Sequence, residues 1–336
     1  MRISVLLCLS LLSTPVIAQS STSSWCGSSF TDPQQTMQMP ADWASQTMNY
    51  PKSAADADLI ISFGQQTYPA LRHLVEQYAK EHSLKIVIQS GTCGISAGKL
   101  LRKNIDSGAF CCPAGKSDRL PGLDFHTIAI SPLAVIVHKD NPLNNISLDQ
   151  ARMVFRGKIQ KWNQLDNRAE ANKEITTVAR LHCKKRPGHW TLLLKDQEHF
   201  SPRLKEVGVI PDLIAKVGKT PLSISIETPF MVREYDKSKT VKQLSVDGHA
   251  PSDIDYIASG QYPFYRTYNL TTWSAGGKRR NITLALIDHI RTHIENNYAT
   301  YGFVPVSKLR ANGWKFKADE LISEPNGHQL SQAHKY

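Results

Sequence analysis

Leu59-Ile60-Ile61-Ser62-Phe63-Gly64-Gln65-Gln66-Thr67-Tyr68-Pro69-Ala70-Leu71 is the stretch whose reading decides the fold. Residues 59–63 are almost wholly apolar and form a short strand that Gly64 ends. Pro69 suits a first helical turn, where its missing N–H is no loss. Leu71, Leu74, Val75 and Tyr78 then fall at i, i+3, i+4 and i+7, one face of a helix. Residues 84–88 form the next strand, Ser90-Gly91-Thr92-Cys93-Gly94 turns, and a second helix runs to about Asn104. Strand, turn, helix and strand in this order imply a parallel sheet with sites at the C-terminal ends of its strands. The helix start after Gly91 offers unbonded N–H groups to an anion or a thiolate.

Outward from that unit, the chain opens with Arg2, an apolar run over 3–12, Pro15 and the small-residue site Val16-Ile17-Ala18. A charged n-region, an h-region of roughly 10 residues and a cleavage site before Gln19 describe a signal peptide over 1–18. A permanent membrane span takes about 20 apolar residues, and no later stretch is long and apolar enough. The expected product is exported and periplasmic, and its thiols meet an oxidising compartment. Residues 19–57 are rich in Ser, Thr, Gln and Pro and read as an irregular extension with Cys26 as its one anchor. The remainder is long enough for two α/β lobes with their own cores. A net charge of +11 favours anionic partners. The basic residues are dispersed without interleaved aromatics, so nucleic acid is not expected as a partner.

Further blocks make the reading specific. They are Ile105-Asp106-Ser107-Gly108-Ala109-Phe110-Cys111-Cys112-Pro113, the strand over 128–137, Phe155-Arg156-Gly157-Lys158-Ile159, Trp162-Asn163, and Tyr301-Gly302-Phe303-Val304-Pro305. With the two turns quoted above, they resemble, in order, the periplasmic phosphate-binding proteins (PstS-like). That family is a branch of the type II substrate-binding proteins of ABC transporters, and the resemblance covers roughly residues 58–310. It implies an α/β clamshell with mixed, mostly parallel sheets and two hinge crossover strands. Residues 58–132 with 262–320 would form one lobe, 133–261 the other, and 321–336 a tail. Such proteins close on a ligand by hinge motion, hand it to an ABC-transporter permease or other membrane partner, and are not enzymes.

The resemblance assigns ligand contacts to Thr67 and Tyr68 in the first loop, to Thr92 and Cys93 in the second, and to Arg180 and Gly188 in the opposite lobe. Several oxygen-type ligands are replaced. Cys93 stands at the ligand-serine position, Cys111 where an acceptor Asp is frequent, and His189 after Gly188 where a Thr is usual. His182 and Cys183 lie in an extra stretch before that loop. A thiol is a weak hydrogen-bond donor, so phosphate loses good partners. Cys93, Cys111, Cys112, Cys183, His182 and His189 would instead suit a soft or borderline metal such as Cu, Zn or Fe, or a metal cofactor. The leading expectation is therefore capture of a metal species in the cleft. Two alternatives stand beside it. One is an oxyanion site, phosphate or a relative, with loops stapled by disulfides. The other is a thiol or metal redox protein on the same scaffold. No nucleophile elbow or Ser–His–acid pattern is legible.

Overall fold

The computed structural model of the chain describes residues 30–166, 173–181, 192–194 and 199–325. In chain order the elements are β1 (Leu59–Gly64), α1 (Thr67–Glu81), β2 (Ile86–Gly91), α2 (Cys93–Leu101), β3 (Ser107–Phe110), β4 (Leu123–Pro132), β5 (Ala134–His138), β6 (Asn145–Ile146), α3 (Leu148–Phe155) and β7 (Thr176–Ala179). They continue with β8 (Lys205–Glu206), α4 (Ile210–Lys219), β9 (Ser223–Glu227), α5 (Pro229–Tyr235), β10 (Val241–Val246), α6 (Ile254–Ala258) and β11 (Tyr265–Trp273). The last are α7 (Gly277–Tyr301), β12 (Val304–Pro305), α8 (Val306–Ala311), β13 (Lys315–Lys317) and β14 (Glu320–Ser323).

Two six-stranded sheets result, ordered β12-β4-β11-β3-β1-β2 and β6-β10-β5-β9-β7-β8, each the centre of a lobe. In the first, β1 pairs in parallel with β2 from Leu59↔Ile86 to Gly64↔Gly91, and with β3 on its other side. Parallel pairing follows the strand–helix–strand units, and the crossover strand β11 is antiparallel to both β3 and β4. Each sheet buries both faces, as such units require. Leu59, Ile61 and Phe63 of β1 pack with Leu71 and Leu74 of α1 and with Leu286, Ile290 and Ile294 of α7. Ile60, one residue out of phase, points to the other face with Leu100, Ile105 and Phe110. In the second sheet Ala134 and Ile136 meet α4, while Val135 and Val137 meet Phe155 and Leu194 on the opposite side.

The sequence reads 128–137 as one crossover strand, and the structure divides it at Leu133. β4 belongs to the first sheet and β5 to the second. The second crossing passes through 259–264, and the two crossings are stitched together. Leu133 N donates to Phe264 O at 3.0 Å, and the Tyr262 hydroxyl donates to Leu133 O at 3.1 Å.

The described part of the N-terminal extension is held by side chains other than Cys26, which lies outside the described residues. Trp43 is buried beside Trp273, with ring centroids 6.1 Å apart, and its Nε1 donates to Leu101 O at 3.0 Å. Apolar residues are sparse between 30 and 57, so their lack of periodicity conceals how much each one packs. At the other end, Arg119 holds Glu320 of β14 through two hydrogen bonds of 2.7 Å, in a pair that is largely buried. The signal peptide proposed for 1–18 lies outside the described residues, as does 326–336. No described helix is long and apolar enough to cross a membrane.

Candidate functional site

The two turns that identify the fold converge where β1 and β2 end. Gly64 N donates to the Thr67 hydroxyl at 3.0 Å, and that hydroxyl is 3.2 Å from Gly64 O, so the fully buried Thr67 closes its own loop. Tyr68 turns its ring edge-on to Phe63 at 6.4 Å, and Arg72 lies over its face. Thr92 is the N-cap of α2, accepting from Ile95 N at 3.3 Å, which satisfies one N–H the helix start leaves over. Cys93 is the first residue of α2 and is buried. A Cβ placed on Gly64 would sit 3.3 Å from Cys93 Sγ, so glycine there permits the strand end and helix start to approach closely.

Cys111 and Cys112 follow β3, and both are buried. The Sγ atoms of Cys93 and Cys111 are 3.5 Å apart, well beyond the about 2.05 Å of a disulfide, and either thiol can donate to the other. Arg266 Nη1 donates to Cys111 Sγ at 3.5 Å. Cys112 contributes its carbonyl, which accepts from Asn269 Nδ2 at 3.0 Å.

From the second lobe, Arg180 follows the end of β7 and is buried. Its Nη2 donates to Gln65 Oε1 at 2.7 Å, across the lobe boundary, and its Nη1 is 3.9 Å from Glu227 Oε2. Glu227 ends β9 and is 1% exposed. It accepts from Gln66 Nε2 at 2.6 Å and from Thr228 N at 2.8 Å. The Tyr268 hydroxyl is 3.4 Å from Gln66 Oε1. Burial drives the Tyr268 phenol well above its ordinary range, with Arg266 opposing that shift and Cys111 and Glu227 adding to it. Polar groups thus run from Cys93 and Cys111 to Arg266, whose charge acts on Tyr268, and from Tyr268 through Gln66 and Glu227 to Arg180 and Gln65. They include two guanidinium groups and one carboxylate, an arrangement suited to an anion closing between the lobes.

The structure therefore brings together Cys93 with Cys111, and Arg180 with the first loop, while the hydroxyls of Thr67 and Thr92 serve local turns. His182, Cys183, Gly188 and His189 lie outside the described residues. Among the described residues no group of three or more His, Cys, Asp or Glu side chains is arranged to hold a metal. Gln65, Gln66, Glu227, Arg266 and Tyr268 are not found by sequence reasoning. Two of the five carry a signal: Arg266 is a lone charge in the aromatic run Tyr262-Pro263-Phe264-Tyr265-Arg266-Thr267-Tyr268, and Glu227 ends the Ser–Ile alternation of 223–226.

A separate cavity of about 660 Å³ lies on the first lobe, lined by Tyr50, Lys103, Asp106, Trp273 and Arg279 among others. Its polar groups serve one another: Arg279 donates to Asp106 at 2.9 Å, and Lys103 donates to the carbonyls of Ala44 and Gln46.

Comparison with known proteins agrees with this architecture. The chain is 23% identical over 270 residues to the phosphate-binding protein PstS of Bacillus subtilis (strain 168), an alignment covering 77% of this chain and 85% of that one. A phosphate ABC transporter substrate-binding protein of Clostridium perfringens, solved with bound phosphate, superposes with a TM-score of 0.63 at 17% identity. That superposition spans 74% of this chain and 99% of the other. An ABC-type phosphate transport receptor from Vibrio cholerae gives 0.58 at 18% identity, covering 73% and 99%. Residues 49–279 match the family model of the PBP superfamily domain, so the chain belongs to the PBP superfamily, with a PstS-like fold.

Proposed function

We propose that this chain is an exported receptor that takes phosphate or a closely related oxyanion between its lobes and delivers it to a membrane permease. The observation that carries the reading is Arg180. It is buried at the lobe boundary, bonded across it to Gln65, and stands where the phosphate-binding resemblance has its anion-clamping arginine. A buried guanidinium there presents a fork of N–H donors matched to an oxyanion. The start of α2 adds backbone N–H groups beside Cys93. The relatives named for phosphate support this reading over the metal expectation that the sequence favoured.

Calorimetric titration of the purified protein with inorganic phosphate tests it. Binding is expected, and Arg180→Ala should weaken it about tenfold to a hundredfold, the effect of removing a hydrogen bond to a charged group. Saturating phosphate without heat or a change in tryptophan fluorescence would sink the reading.

The approach of Cys93 to Cys111 favours a second reading, in which these thiols with Cys183, His182 or His189 hold a metal species. Elemental analysis of protein purified without chelators decides it. Stoichiometric copper, zinc or iron lost on Cys93→Ser would support it, and metal-free protein would remove it.

A further inference from the structure

We propose that Cys93 and Cys111 form a reversible dithiol–disulfide couple in the wall of the interlobe cleft, and that oxidising it strengthens anion binding by releasing Arg266 from sulfur. The affinity clause rests on the oxyanion reading given above. The two Sγ atoms need approach by only about 1.5 Å to reach bonding distance. They lie on segments that a small shift can bring together, the first residue of α2 and the residue that follows β3. Both belong to the first lobe, so the couple can close without disturbing how the lobes meet.

Arg266 links the couple to the ligand site. It sits on β11 opposite Ser131 of β4, two residues short of the crossing at Leu133. Its Nη1 donates to Cys111 Sγ. A thiol sulfur accepts weakly but becomes a strong partner for a guanidinium once it is a thiolate, whereas a disulfide sulfur cannot take that charge. Forming the disulfide therefore turns that donor toward whatever anion occupies the cleft.

The oxidant is a disulfide, R–S–S–R. Cys93 loses its proton, and its sulfur attacks one sulfur of R–S–S–R, giving a mixed disulfide and one R–S⁻. Cys111 then loses its proton and attacks Cys93 Sγ, expelling the second R–S⁻. The two protons go to the two leaving thiolates. The couple gives up two electrons and R–S–S–R becomes two R–SH. A dithiol reductant runs the same steps backwards.

The test oxidises the full chain with oxidised glutathione and reduces a second sample with dithiothreitol. Each is digested without further reduction, its linked peptides are mapped by mass spectrometry, and intact samples of both are titrated with inorganic phosphate. Expected are a linked peptide joining the Cys93 and Cys111 segments, absent in Cys111→Ser and kept in Cys112→Ser, and about tenfold tighter phosphate binding after oxidation. Circular dichroism melts check that the variants fold, and Cys93→Ala removes the couple from its other side should Cys111→Ser not fold. No linked peptide, a linkage that survives Cys111→Ser, or a bound metal that protects both thiols from oxidation would overturn the couple. Equal or weaker phosphate binding after oxidation would overturn the affinity clause. If neither state binds phosphate, the oxyanion reading and the affinity clause fall together, while the linked peptide alone still decides the couple.

Discussion

His126 shows how one residue can set the acid limit of this protein. It is buried in β4, with Nε2 2.8 Å from the Thr272 hydroxyl and Nδ1 3.1 Å from Asp319 Oδ2. Burial holds its imidazole below the usual histidine range, and the hydrogen bond and charge of Asp319 only partly oppose this. The unfolded chain therefore takes a proton before the folded one does, so stability falls as pH drops below about 6.5. Asp319 acts in the same direction: burial raises its carboxyl, but the bond to His126 and the charge of Arg291 outweigh that and lower it. Thermal midpoints should fall between about pH 7 and about pH 5, and the fall should be smaller in His126→Gln. An unchanged slope in that variant would place the acid sensitivity elsewhere. At this scale the site was only partly legible. Arg180 and Cys93 stand at loop positions that a motif marks. Gln66 and Glu227 meet only because the lobes meet, and 161 residues of chain separate them.

The elements were easier to read, because their periodicity is local. The apolar spacing of 71–78 predicts one helical face, and α1 buries Leu71, Leu74, Val75 and Tyr78. The strand predicted over 59–63 gains only Gly64 in the structure. Helix α2 is shorter than its expected span to Asn104, because Arg102 departs from helical geometry and caps it. Its start depends on Thr92. Thr92→Ala should cost about 1 kcal/mol of stability through the lost cap. It should also weaken phosphate binding if the α2 N–H groups are ligands. A urea melt and a phosphate titration of the same variant separate the two effects. A loss of binding larger than the loss of stability would mark Thr92 as more than a cap.

Across the whole molecule, the described contacts between the lobes include a shared apolar core in which Val304, Leu309 and Trp314 join Val135 and Ile257. They also include the bonds Trp314 Nε1 to Ala258 O and Lys308 to Asp255 and, on the site side, Gln66 to Glu227, Arg180 to Gln65 and Phe230 stacked at 5.9 Å on Tyr301. Gln66→Ala leaves Glu227 buried with one fewer donor and should shift the phosphate-free protein toward an open form. Small-angle X-ray scattering should then report a larger radius of gyration than in the parent, and phosphate should reduce the difference. The same radius in both proteins would show that Gln66 does not hold the lobes together. The two-lobed plan was legible from the order of the blocks, with its boundary expected between 132 and 133, but the division of 128–137 into two strands was not, because the segment stays largely apolar on both sides of Leu133. That plan also sets a timetable for synthesis. β11 lies between β4 and β3 in the first sheet, yet it leaves the ribosome after every strand of the second. The second lobe can complete itself early, while the first must wait with an unfilled gap until Tyr265–Trp273 arrives. The lobe that begins the chain is thus the last to close.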